Sequence, residues 1–194
     1  MELLKNGHGE TGERTVWWSV FILLAIGTGY MFASGENTKV IMGIFTLILM
    51  GAIAFAQRRL KLSLPSFFVN IVYGFIFISV GLGTFGGFYD IPHFDDFLHL
   101  ASGIMLAVGS WIILQKMLGE QLTARLPNAF IGLYIICFSL ASAAVWELME
   151  FAGDKLLNFT IQGRNPDDTM IDMIDGLVGG TVTAFIILRQ RQRK

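Results

Sequence analysis

Residues 129–152 read AFIGLYIICFSLASAAVWELMEFA, and the first 18 of them, Ala129 to Trp146, carry no charge. A helix rises about 1.5 Å per residue, so about 20 apolar residues cross a hydrocarbon layer about 30 Å thick. The run is continuously apolar rather than alternating. That pattern suits a helix, whose backbone groups bond within the segment, and not a barrel strand. Only near its end do Glu147 and Glu150 interrupt it.

Five further stretches have the same character: residues 16–33, 40–56, 67–89, 97–114 and 170–188. Together they predict an all-α, polytopic membrane protein of about six transmembrane helices, forming a single domain over residues 1–194. The totals agree, with 54% hydrophobic residues, 15% charged and a mean hydropathy of +0.61, well outside an ordinary soluble composition. A net charge of −1 gives no sign of nucleic-acid binding. Cys137 is the only cysteine, which excludes an intrachain disulfide and a thiolate metal cluster. The polar N-terminus MELLKNGHGETGERT precedes no suitable cleavage site, so the first span is expected to be retained. Trp17, Trp18, Tyr30 and Tyr89 stand near span ends, where amphipathic rings anchor at the interface.

Orientation follows from the basic residues. Lys5, Arg14, Arg58, Arg59, Lys61, Lys116, Arg125, Arg189, Arg191, Arg193 and Lys194 fall on one side of a six-span topology, which is 11 of the 14 Lys and Arg. Cytoplasmic loops carry that excess, so both termini are expected in the cytoplasm. The segment KMLGEQLTARLPN, residues 116–128, is then a cytoplasmic loop.

The acids are biased the other way. Eleven of 15 lie at or near the outer side: Glu36, Asp90, Asp95, Asp96, Glu147, Glu150, Asp154, Asp167, Asp168, Asp172 and Asp175. Glu36, Asp90 and Asp167 read as solvated loop acids, and His8 as a tail residue. The others are periodic. In HFDDFLHLASG, Asp95, Asp96 and His99 stand at i, i+1 and i+4, within one sector of a helix, and Ser102 continues that stripe. In WELMEFAGD, Glu147, Glu150 and Asp154 follow at i, i+3 and i+7, and in DDTMIDMIDGLVGG, Asp168, Asp172 and Asp175 at i, i+4 and i+7. Gly176 and Gly179 lie nearby and permit close helix approach. His93, beside Pro92, reads as an interfacial residue rather than a ligand.

An unpaired charge within a span costs at least about 2.5–3.5 kcal/mol near the bilayer centre, so the three stripes are expected to face one another. Carboxylates gathered in low dielectric repel unless protons or cations are shared. Lys155 and Arg164 are the only nearby bases. Asp95, Asp96, His99, Glu147, Glu150, Asp168, Asp172 and Asp175 are therefore the expected ligands of a divalent cation, Mg²⁺, Mn²⁺, Ca²⁺ or Zn²⁺, since oxygen donors with one imidazole suit these ions.

The block running from YDIPHFDDFLHLASG through WELMEFAGD to DDTMIDMIDGLVGG, about residues 89–180, resembles the uncharacterised bacterial YjdF-like integral membrane family, distantly VanZ-like. Asp96, His99, Gly103, Trp146, Glu147, Glu150, Asp168, Thr169 and Asp172 match its pattern. The chain departs from the VanZ-like pattern at Asp96, where a Lys commonly follows the first Asp. The resemblance implies the cytoplasmic (inner) membrane of a bacterium, and its VanZ-like side a role in the cell envelope.

These observations lead to three expectations. The first is a metal-dependent hydrolase or transferase acting on a lipid or lipid-linked envelope substrate at the outer leaflet. Glu147 or Asp172 would be the general base, and Arg164 would hold an anionic head group. The second is a proton or metal-ion transporter or channel using the same carboxylates, which requires acids extending inward. Asn70, Ser110 and Ser139 are the scattered polar groups there. The third is a non-catalytic envelope protein with a structural polar cluster.

Overall fold

The computed structural model describes residues 9–59, 64–157, 159, 161–162 and 167–193. Among them there are helices and no strands: α1 (Gly9–Ala33), α2 (Asn37–Arg59), α3 (Ser66–Ile76, continued by a π-helical segment Phe77–Phe85), α4 (Phe94–Arg125), α5 (Asn128–Leu157) and α6 (Asp168–Gln192). The all-α expectation holds, and all six are long and apolar enough to cross a membrane.

The helices run past most of the hydropathy bounds by a few residues at their ends, and the third and fourth spans differ for specific reasons. The third span stops at Phe85 rather than at residue 89. Gly86 N–H closes a last π-type bond to Gly81 O at 3.1 Å, and Gly87 then takes φ +76°, a left-handed conformation that glycine adopts without steric cost. The fourth span is longer than residues 97–114, because the expected loop after Lys116 is helical as far as Arg125. Its Leu, Glu, Gln, Ala and Arg are good helix formers whatever their polarity. A helix of 32 residues outruns the hydrocarbon thickness, and it breaks at Gly119 (φ +76°, ψ 160°). The Thr123 hydroxyl bonds back to Gly119 O at 2.8 Å, and Pro127 bars further continuation.

The described residues form two compact units, one ending at Ile91 and one beginning at Pro92. In the first, Val20 and Leu24 of α1, Met50 of α2 and Val69 and Tyr73 of α3 are buried together. The Phe85 ring fills the space beside Gly27 and Gly43, where a Cβ would come within 2.7 and 2.9 Å of it. Large side chains such as Ile26, Phe32 and Phe55 point outward, as a helix bundle bathed in lipid tails allows.

In the second unit α4 and α6 run parallel, with α5 antiparallel to both. His99 meets Asp172 at one end and Gly103 meets Gly176 one turn on. Ala107, Ile131, Ile135 and Ala184 form the middle. At the far end, the Arg191 guanidinium donates to Asn128 Oδ1 (3.2 Å) and to the carbonyls of Thr123 (3.3 Å), Ala124 (3.4 Å) and Leu126 (3.3 Å). These carbonyls lie at the C-terminus of α4, which lacks intrahelical donors and favours a cation. Hydrogen bonds to charged groups contribute about 1.5–3 kcal/mol each, well below additively when shared by one side chain. Arg191→Met, which keeps the aliphatic stem, is expected to lower the thermal midpoint in detergent by several degrees. An unchanged midpoint would show that the guanidinium is not a clasp.

Candidate metal centre

The site is built at the end of the second unit where α4 and α6 begin and α5 ends. His93, the residue before α4, takes φ +62°, an uncommon conformation for a side chain with a Cβ. It places Nδ1 2.7 Å from Asp96 Oδ2. Asp95 and Asp96 occupy the first turn of α4 and Asp168 that of α6, where free backbone N–H groups and the helix dipole favour negative charge.

What brings the acids of α4 and α6 together is glycine. A Cβ on Gly103 would lie 2.5 Å from Gly176 O, and one on Gly179 2.5 Å from Leu100 O. Only two bare backbones fit at this crossing. Ser139 of α5 ties the three helices, its hydroxyl lying 3.0 Å from both Gly103 O and Gly176 O.

One turn above the crossing, His99 Nε2 stands 3.6 Å from Asp95 Oδ1 and 3.8 Å from Asp172 Oδ1. Both separations exceed hydrogen-bond length. Donor atoms of Asp95, His99 and Asp172 lie within 4.8 Å of one another, and so do those of Asp96, Asp172 and Asp175. Asp172 belongs to both groups. Burial is graded: Asp172 and His99 are 2% and 7% exposed, whereas the Asp95 and Asp96 side chains are 40% and 39% exposed. The cluster therefore has a closed floor and an open rim.

The floor is not electrically satisfied. Among the described residues, Asp172 Oδ1 and both carboxylate oxygens of Glu147, itself 4% exposed, find no hydrogen-bond partner. Thr169 is the polar neighbour of Glu147, and its hydroxyl accepts from Gln162 Nε2 at 3.1 Å. Buried polar groups almost always find partners, and a buried carboxylate without one is costly. Among the described residues, the ion pairs made by these carboxylates come from His93 and His99 alone. Lys155 instead lies over the Phe151 ring, 5.5 Å from its centroid.

Of the eight residues expected as ligands, Asp95, Asp96, His99, Asp172 and Asp175 thus form two overlapping groups. Glu147 is beside them at the floor, and Asp168 is within electrostatic range of Asp95, Asp172 and Glu147. Glu150 is also within that range of Glu147, Asp95 and Asp172, but its Oε1 accepts the Trp146 indole N–H at 2.7 Å. Asp154 accepts the backbone N–H of Ile161 (2.8 Å) and Gln162 (3.2 Å) and so brackets the chain after α5. Arg164 lies outside the described residues. Two residues do more than the sequence alone indicates. His93 orients Asp96, and its signal was the i, i+3 spacing. Ser139, one of the scattered polar groups, pins the crossing, and nothing local distinguishes it from Ser142, which bonds back to Phe138 O at 2.8 Å.

Residues 15–193 match the profile of a family described as "Predicted membrane protein (DUF2238)". That match agrees with the YjdF-like resemblance and does not bear on the VanZ-like one. An uncharacterized protein of Thermotoga maritima is 28% identical over 117 residues, 60% of this chain and 59% of the relative, so the match spans about three fifths of that relative's length. No solved structure matches.

Proposed function

We propose that this chain, which belongs to the DUF2238 family of predicted membrane proteins, is a multi-pass membrane protein that binds divalent cations. In this reading the site lies where α4, α5 and α6 meet, on the extracytoplasmic side of a bacterial inner membrane. The observation that carries it is Asp172, a carboxylate 2% exposed, with an unpartnered oxygen facing an imidazole and three further aspartates close by. A cation relieves the repulsion that would otherwise accompany four converging carboxylates. The basic bias of the opposite loops supports the orientation.

The open rim at Asp95 and Asp96 supports a site that meets a ligand at headgroup level, as a metal-dependent hydrolase or transferase on a lipid or lipid-linked envelope substrate would. Asp172 then serves as ligand rather than base. Glu147, buried and without a geometric hydrogen-bond partner among the described residues, is the carboxylate that would take a proton. Arg164 remains the proposed contact for an anionic head group. An ion path draws less support, because the α4–α6 interface beyond the site is closed by Gly103, Ala107, Gly176, Gly179, Gly180 and Ala184, all buried.

Metal content of tag-free protein purified in detergent tests the proposal. Wild type is expected to retain Mn²⁺ or Zn²⁺ at one or more ions per chain through gel filtration, and the double variant Asp95→Asn, Asp172→Asn to retain less than a tenth of that. Equal retention by both proteins, or none by either, would remove the cation reading.

A further inference from the structure

The two donor groups differ in chemistry and share one residue. Asp95, His99 and Asp172 supply two carboxylates and an imidazole, whereas Asp96, Asp172 and Asp175 supply carboxylates only. Resting on the cation reading above, we infer that the cluster is a dinuclear centre with two unlike positions bridged by Asp172. The mixed nitrogen and oxygen position suits a transition ion such as Mn²⁺ or Zn²⁺, and the all-oxygen position suits a hard ion such as Mg²⁺ or Mn²⁺.

Three features support a pair over a single ion. Asp172 comes from α6 and reaches both groups, and a carboxylate has two oxygens with which to bridge. Its Oδ1 is buried without a hydrogen-bond partner, so nothing in the described protein competes for it. The four aspartates of the two groups carry four formal negative charges, which two divalent ions balance and one does not. His93 adds to the second position. Its contact with Asp96 holds a rim carboxylate in orientation, as an outer partner does for a metal ligand.

The test is a Mn²⁺ titration of metal-stripped, tag-free, full-length protein in detergent, read by metal analysis and by electron paramagnetic resonance. Two Mn²⁺ per chain are expected, with the broadened, split signal of exchange-coupled ions, since bridged pairs lie about 3.5–4 Å apart. Asp175→Asn, at the half-buried edge, should retain one Mn²⁺ with an uncoupled signal, and excess Mg²⁺ should displace one of the two ions from wild type. One uncoupled Mn²⁺ per wild-type chain would overturn the dinuclear centre while leaving the cation reading intact. Two uncoupled ions would overturn the Asp172 bridge. No retained Mn²⁺ would overturn both readings.

Discussion

Asp172→Asn is expected to unfold at a higher temperature than wild type in chelator and at a lower one in millimolar Mn²⁺. The first half follows from the orphaned Oδ1 of a side chain 2% exposed. Leaving a buried polar group unsatisfied costs about 1–3 kcal/mol, and more for a charge, so a neutral isostere at this position relieves the metal-free protein. The second half follows from linkage, because a ligand at 100 times its Kd stabilises the folded state by about 2.7 kcal/mol. The variant lacks the shared donor and forgoes that stabilisation. Thermal unfolding of both proteins in the two buffers gives a crossing of the two orders. A variant less stable in both buffers by the same margin would make Asp172 a structural residue.

Gly179→Leu is expected to separate α4 from α6 and abolish cation retention together with much of the stability. The Cβ alone would meet Leu100 O at 2.5 Å and Ile104 N at 2.9 Å, and these are backbone atoms that no rotamer change can move aside. Overpacking costs about 1–3 kcal/mol where neighbours can adjust, and this position belongs at or beyond the upper end of that range. The same displacement pulls Asp172 away from His99, although no ligand has been altered. The contrasting control is Gly29→Leu, since a Cβ there meets nothing within 4 Å. Equal cation content in the Gly179 variant and wild type would show that the crossing does not set the site.

Much of this was legible from the chain alone, for reasons that differ by level. Lipid is an unforgiving solvent for backbone polar groups, so runs such as residues 129–146 admit one conformation. Helical periodicity then places Asp95 with His99, and Asp172 with Asp175, whatever the helices pack against. Hydropathy alone failed where conformation and polarity part company: the polar but helix-forming stretch after Lys116, and the early stop at Gly86 and Gly87.

The six helices, their acidic stripes and the residue types able to hold a cation were therefore set by the sequence itself, through local periodicity and solvent. Which stripes meet was decided only by tertiary structure. Glu150 turns to Trp146 and Asp154 to the amides of Ile161 and Gln162, whereas Asp172 faces His99 from a distant part of the chain. Rotation and register of α4 against α6 depend on bare backbone meeting bare backbone at Gly103, Gly176 and Gly179. A periodicity confined to one helix carries no information about that contact.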